Sequence, residues 1–265
     1  MRPSRTGDGD GDGGGDLLGA ARRGRSDDLG EAIDVTGEPR ARVVSRIAAH
    51  LIDQRDGRPL RVAIDGVTGA GKTTFAGELR AAIEARGVAA VKLSTDDFHH
   101  RSEHRHRDPD PARGYYRDAY DFAALRRLVL DPLGPAGSGS YVPRRHDLDS
   151  DEFVEEQAEV AARDAIVVVE GTFLQARELT GAWDQVVYVD TSFATAVERA
   201  IPRDVVLFGD AEAVRAAYRN RYHAACRLYL EELQPAFTAS IVFDNNDIDR
   251  PVLTRLDWDR ATTVT

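Results

Sequence analysis

The sequence predicts an α/β fold: a three-layer sandwich in which helices flank a mostly parallel central sheet. Three observations predict it. A glycine-rich turn sits between a strand pattern and a helix pattern, a continuous β-branched run occupies 165–169, and strand and helix patterns follow one another along the chain. The turn is Gly66-Val67-Thr68-Gly69-Ala70-Gly71-Lys72-Thr73, which meets G-x-x-x-x-G-K-[ST] at every fixed position. An apolar run, Leu60 to Ile64, precedes it. Thr74 to Ile83 follows, with apolar residues at 75, 79, 82 and 83 in helical spacing. The glycines let the backbone curl so that its N–H groups face a polyphosphate, and the helix N-terminus adds partial positive charge. Lys72 then reaches the β- and γ-phosphates and the Thr73 hydroxyl ligates Mg²⁺. Gly66, Val67, Thr68, Gly69, Ala70, Gly71, Lys72, Thr73 and Thr74 are therefore the expected nucleoside triphosphate contacts.

Composition narrows the class. The 265 residues fit one α/β domain, or one with a small appendage, and a 42% hydrophobic content can fill its core. No run of 18 apolar residues exists and the N-terminus lacks an apolar h-region. The one cysteine, Cys226, forms no internal disulfide and suits a reducing compartment. The expectation is a cytoplasmic protein without a membrane partner. A net charge of −10 argues against a generic nucleic-acid binder. Lys72 and Lys92 are the only lysines, which points to chemistry for the one in the phosphate loop.

In chain order, residues 1–35 are low-complexity Asp and Gly around 7–16, a composition that cannot bury enough surface to offset its ordering entropy, so a disordered tail precedes a domain over 36–265. A helix starts near Pro39 and buries Val43, Val44, Ile47, Ala48, Leu51 and Ile52. Val88 to Ser94 is a strand ending in Thr95-Asp96-Asp97. Residues just past the strand ends of a parallel sheet face the ligand crevice, so Asp96 is a functional candidate. Residues 99–117 carry His99, His100, His104 and His106 among arginines. The arginines repel a cation, so a mobile basic loop over the cleft, suited to an anionic substrate, is expected rather than a zinc site. A helix over 118–130 and an extended segment over 140–147 follow. The run at 165–169 reads as a strand buried on both faces. Glu170 at its end is placed to hold Mg²⁺ directly or through water. Then come a strand over 185–190, a helix over 191–201 before Pro202, a long helix over 210–234 and a last strand over 240–243.

These motifs resemble those of uridine kinase and its relatives among the P-loop small-molecule kinases, over about residues 58–247. The carriers are Asp65-Gly66 through Thr74, Leu93 to Phe98, Asp118-Ala119-Tyr120-Asp121, Tyr141 with His146, Val169-Glu170-Gly171, Val189-Asp190-Thr191, and Arg199 with Arg203-Asp204. The resemblance implies a P-loop NTPase sandwich with a helical lid, ATP and Mg²⁺ as cofactors, and a small-molecule acceptor. It also implies that Asp96 acts as the base and meets the metal, that Glu170 and Thr73 hold the metal, and that Tyr141 and His146 line the acceptor pocket. Arg199 and Arg203 match the start of the arginine-bearing lid. Two departures bear on the acceptor and the lid. Tyr115 stands where uridine kinases carry an aspartate for the ribose hydroxyls, and Val205 to Gly209 replaces the usual Arg-Gly-Arg segment.

The expectation is an ATP-dependent kinase acting on a hydroxyl of a nucleoside, uridine or cytidine, or a similar metabolite, with self-association left open. The alternative is a P-loop switch or regulatory protein without small-molecule phosphotransfer. The lack of an Asn-Lys-x-Asp guanine motif and the presence of Asp96 favour the kinase.

Overall fold

A computed structural model describes residues 39–257, so the tail expected at 1–35 lies outside the described residues. Helix α1, Arg40–Asp53, starts after Pro39, where a missing N–H costs nothing. Its stripe of Val43, Val44, Ile47, Ala48 and Leu51 is buried. Strand β1, Leu60–Gly66, is buried at every position. Helix α2, Lys72–Glu84, and strand β2, Ala90–Ser94, follow. Arg40 ties α1 to α2 through Glu78 at 2.7 Å.

The single basic loop expected over 99–117 is corrected. After a 3-10 turn over Thr95–Phe98, helices α3, Ser102–Arg105, and α4, Pro111–Asp118, occupy most of it. The Asp110 carboxylate accepts from the N–H groups of Ala112 and Arg113, and Pro111 fills the first helical position. The helix expected over 118–130 is also divided. The chain is extended at Tyr120, bridging His99, before α5, Phe122–Leu125, restarts on an Asp121 cap. Its last part widens to a π turn over Arg126–Leu130. The extended segment holds β3, Ser140–Tyr141, and β4, His146–Asp147. Strand β5, Glu152–Phe153, pairs antiparallel with β4, and β6, Glu159–Val160, pairs antiparallel with β3.

Strand β7, Ile166–Glu170, is fully buried, and β8 spans Gln185–Asp190. Helix α6 runs Phe193–Phe208 straight through Pro202, where a break was expected. Pro202 is exposed, so its ring meets solvent, while Ala200 packs into a buried cluster with Val214 and Tyr218. That packing offsets the lost helical hydrogen bond. Helix α7, Ala211–Ala217, passes through a π turn at Tyr218–Tyr222 into α8, His223–Leu233. A short helix α9, Pro235–Thr238, leads to β9, Ile241–Asp244. An unforeseen strand β10, Val252–Leu256, pairs antiparallel with it.

The main sheet has the order β10-β9-β8-β1-β7-β2. All its pairings except β10 with β9 are parallel. The fold is thus the expected α/β sandwich, with β1 and β7 central and all of their residues buried. Gly66, Ser94, Glu170 and Asp190 all end their strands at the same edge, which defines the cleft. No described helix is long and apolar enough to cross a membrane.

Candidate active site

The phosphate loop leaves β1 at Gly66 and re-enters regular structure at α2. Gly66 and Gly69 have φ of +153° and +86°, and a Cβ there would lie 2.6 Å from the Val189 carbonyl and 2.5 Å from the Ala196 carbonyl. Only glycine lets the loop lie this close to β8 and α6. The loop's carbonyls are bound by side chains. Lys72 Nζ donates to the oxygens of Gly66 at 3.0 Å and Val67 at 2.9 Å. His223 Nε2 lies 3.0 Å from the Thr68 oxygen. Asn245 Nδ2 at 2.8 Å and Thr191 Oγ1 at 3.3 Å donate to Ala70. A loop whose carbonyls are held this way offers its N–H groups to an anion. Burial lowers the Lys72 pKa, against the raising influence of Glu170, Asp65 and Asp96. At the loop's root, Asp65 is fully buried and accepts from the Gly66 N–H at 2.8 Å, Gln175 at 3.0 Å and Tyr229 at 2.5 Å.

Thr73 and Thr74 open α2 at exposed positions. The Thr73 hydroxyl donates to Glu170 Oε1 at 3.1 Å, so two of the three expected metal ligands are brought together from α2 and β7. Lys92 Nζ lies 4.0 Å from the same oxygen. Two hard oxygens side by side next to a phosphate loop fit Mg²⁺, which binds through one or two protein groups and completes its shell with phosphate and water. The described residues contain no group of three or more His, Cys, Asp or Glu arranged to hold a metal.

Asp96 stands at the end of β2, where the Ser94 hydroxyl accepts from its N–H. Its side chain keeps 65% of its accessibility. Crowding by protein raises its pKa, opposed by Lys72, Arg203 and Lys92. Arg203 on α6 is held by Asp204, at 2.5 and 3.0 Å, and by the Tyr218 hydroxyl at 3.2 Å. Tyr218 also donates to Asp204 at 2.7 Å. His99 is buried under Tyr120, with Nδ1 3.1 Å from the Asp96 carbonyl.

The remaining expected contacts are distributed differently. Tyr115 is buried, bonded to the Tyr120 hydroxyl at 3.0 Å, and edge-on to Phe173 and Tyr222; it forms an aromatic wall rather than a polar contact. The Tyr141 hydroxyl donates to Glu159 at 2.7 Å. His146 is fully buried, 3.3 Å from Asp151 and packed on Phe153. The two residues therefore lie on separate small ladders with separate partners. Arg199 is not directed at an acceptor: its guanidinium donates to the carbonyls of Asn245 at 2.7 Å and Asn246 at 2.8 Å. His223, Asn245 and Tyr218 support the site and lie outside the motifs that point to it, whereas Thr191 closes the Val189-Asp190-Thr191 motif. Asn245 follows the end of β9, a position that sheet topology alone marks. His223 carries no such signal.

A sequence profile described as the Phosphoribulokinase / Uridine kinase family matches residues 62–237. A protein named uridine kinase from Clostridium novyi (strain NT) is 27% identical over 150 residues, covering 56% of this chain and 69% of that one. A solved structure titled a possible uridine kinase from Bacillus stearothermophilus superposes with a TM-score of 0.60 at 22% identity, over 77% of this chain and 97% of that one. D-glycerate 3-kinase from Cryptococcus neoformans var. grubii superposes with a TM-score of 0.56 at 16% identity, over 79% and 97% of the two chains. At these identities the superpositions establish the shared fold.

Proposed function

Because that profile spans more than half of it, the chain belongs to the phosphoribulokinase and uridine kinase family, and we propose that it is an ATP-dependent kinase transferring the γ-phosphate to a hydroxyl of a nucleoside, uridine or cytidine, or of another metabolite of that size. One observation carries the reading. At the end of the phosphate loop the Thr73 hydroxyl donates to Glu170 at 3.1 Å, Lys92 lies 4.0 Å from the same carboxylate, and the charges of Lys72, Arg203 and Lys92 act on Asp96. That is the layout a phosphoryl transfer needs: cations for the phosphate and one base for the incoming hydroxyl.

Lys72 and Arg203 neutralise the γ-phosphate oxygens. Asp96 orients the acceptor hydroxyl and takes its proton as the new oxygen–phosphorus bond forms. The bond from the γ-phosphorus to its bridging oxygen breaks, and ADP leaves. Thr73 and Glu170, with Asp96 beside them, would hold Mg²⁺, which supplies charge neutralisation across the phosphates. The transition state is loose, so holding the two reacting oxygens in line accounts for most of the acceleration. The relative named uridine kinase supports a nucleoside acceptor. The aromatic wall at Tyr115 and the engaged hydroxyl of Tyr141 favour a different acceptor of similar size.

The test is ADP release from ATP–Mg²⁺ with and without candidate acceptors. Stimulation above basal hydrolysis by a hydroxyl-bearing metabolite, with the phosphorylated product identified by mass, supports the kinase. Nucleotide binding with no stimulation by any acceptor overturns it in favour of a nucleotide switch.

A further inference from the structure

Arg40 and Asn245 bear on the phosphate loop from outside residues 62–237, the span of the family match. Asn245 is fully buried just past β9, and its four polar groups reach four different parts of the chain. Its backbone N–H donates to the Asp190 carbonyl at the end of β8, at 2.7 Å. Its carbonyl accepts from Arg199 on α6, also at 2.7 Å. The side-chain Oδ1 accepts from Arg40 Nη1 at 2.8 Å, and Nδ2 donates to the Ala70 carbonyl at 2.8 Å. A guanidinium can only donate and a carbonyl can only accept, so a side chain that bridges them must accept at one end and donate at the other. An amide does both, and these two partners fix which way it is turned.

Arg40 is itself anchored. It opens α1, its backbone N–H donates to the Asp249 carbonyl at 3.0 Å, and its Nε donates to Glu78 on α2 at 2.7 Å. The consequence falls on the loop. The Ala70 carbonyl and the Gly71 N–H belong to one planar trans peptide and point in opposite directions. Holding the Ala70 oxygen therefore turns the Gly71 N–H the other way, to the side where the loop meets a phosphate. Asn245 also abuts Gly71 itself, where a Cβ would lie 3.1 Å from Nδ2. A buried polar network with every member bonded is rigid, and removal of one member loosens the rest.

We propose that Arg40 is a positioning residue for nucleotide binding: it holds the Asn245 amide, which holds the Ala70–Gly71 peptide in its anion-binding orientation. Helix α1 is then part of the nucleotide site as well as of the packing against α2. The inference rests on nucleotide binding at the phosphate loop, which the kinase and the switch readings share.

The experiment titrates the full chain with ATP–Mg²⁺ in a calorimeter and follows thermal unfolding of each variant. Arg40→Leu should raise the Kd for ATP by about tenfold, the scale of one lost hydrogen bond to a charged group. Ile47→Val loosens the buried face of the same helix without touching Arg40. It should lower the unfolding midpoint and leave the Kd within about twofold. Asn245→Ala should raise the Kd at least as much as Arg40→Leu. The double variant should bind no worse than Asn245→Ala alone, because Arg40 acts through that amide. Losses that multiply in the double variant would give Arg40 a separate route and overturn the relay. So would an Ile47→Val chain that loses as much affinity as Arg40→Leu, since packing of α1 would then be the cause. If Asn245→Ala does not fold, the contrast between Arg40→Leu and Ile47→Val decides alone. An Arg40→Leu chain with the wild-type Kd overturns the proposal and leaves the nucleotide site standing, whereas a wild-type chain that binds no ATP overturns both.

Discussion

The two halves of the cleft are built from different material. The phosphate half is almost continuous in sequence, from Asp65 to Thr74, and lies on the most buried strands of the sheet. Its carbonyls are bound by Lys72, His223, Asn245 and Thr191, and Gly66 and Gly69 lie where any side chain would collide with β8 or α6. The acceptor half, from Asp96 to Val160, is assembled from helices and ladders of two to eight residues. It is held largely by Arg–Asp pairs such as Arg105–Asp151 and Arg113–Asp108. A rigid sheet edge fixes the chemistry shared across a family, while short elements on its rim can be reshaped for another acceptor.

The largest test of that division is at the junction. Asp96→Asn removes the proposed base but keeps the turn, because the backbone N–H held by Ser94 is untouched. Turnover should fall by about 10²- to 10⁴-fold, the usual yield of a positioned general base, with the KM for ATP little changed. A variant as active as the wild type would remove Asp96 from the mechanism. The pH profile gives the same residue a second signature. Crowding raises its pKa above the ordinary carboxylate range, against Lys72, Arg203 and Lys92. The proposed mechanism uses the ionised form, so activity should be lost on acidification at a higher pH than an exposed aspartate would give.

Lys72→Met comes next and tests the phosphate half alone. In the proposed mechanism the buried amine stabilises the transferring group, so its loss should cost about 10²- to 10³-fold in turnover. An acceptor KM that moves with it would mean that the two halves are coupled more tightly than their construction implies.

The same division explains what could be read from sequence. The phosphate half was legible because its constraints are local: glycines at fixed offsets, a lysine at the helix start, and a β-branched run ending in Glu170. The Thr73–Glu170 contact followed from that pattern and from the parallel sheet. The acceptor half was not, because its partners are distant in sequence. Tyr141 meets Glu159, Arg105 meets Asp151, and Arg221 meets His106. Nothing in the spacing of Tyr141 and His146 reveals that they lie on different ladders. Pro202 misled for a related reason: a proline ends a helix by local rules, and here packing of Ala200, Val214 and Tyr218 overrides them. Arg199 resembled a lid arginine by position, yet it anchors the 245–246 backbone.

A smaller effect tests how the lid arginine is held. Tyr218 is a positioning residue: its hydroxyl donates to Asp204 and accepts from Arg203. Tyr218→Phe deletes both bonds with little change in packing, a loss of about 1 kcal/mol of orientation. Turnover should drop by roughly three- to tenfold on that scale, with the acceptor KM unchanged. An effect on KM alone would put Tyr218 in the acceptor pocket instead.

The mildest effect on activity belongs to the far end of the sheet, where Asp184 begins the turn into β8. Its carboxylate accepts from the Arg61 backbone N–H at 2.9 Å and from the guanidinium groups of Arg61 and Arg58. Burial alone would raise its pKa, but the hydrogen bonds from Arg58 and Arg61 outweigh that and hold it at about 2. A carboxylate depressed in this way stabilises the fold above its unfolded pKa, and the contribution is lost as pH falls from about 4 through about 2. Asp184→Asn should lower stability near neutral pH by about 3 kcal/mol, because Arg61 is left buried without its counter-charge. Urea unfolding at neutral pH measures the loss, and the gap to the wild type should narrow on acidification towards that pKa. Turnover per folded molecule should not change, since Asp184 lies at the edge of the sheet opposite to the cleft. A fall in turnover at full folding would show that the scaffold end of the sheet reaches the reacting groups, and the separation of support from chemistry would fail.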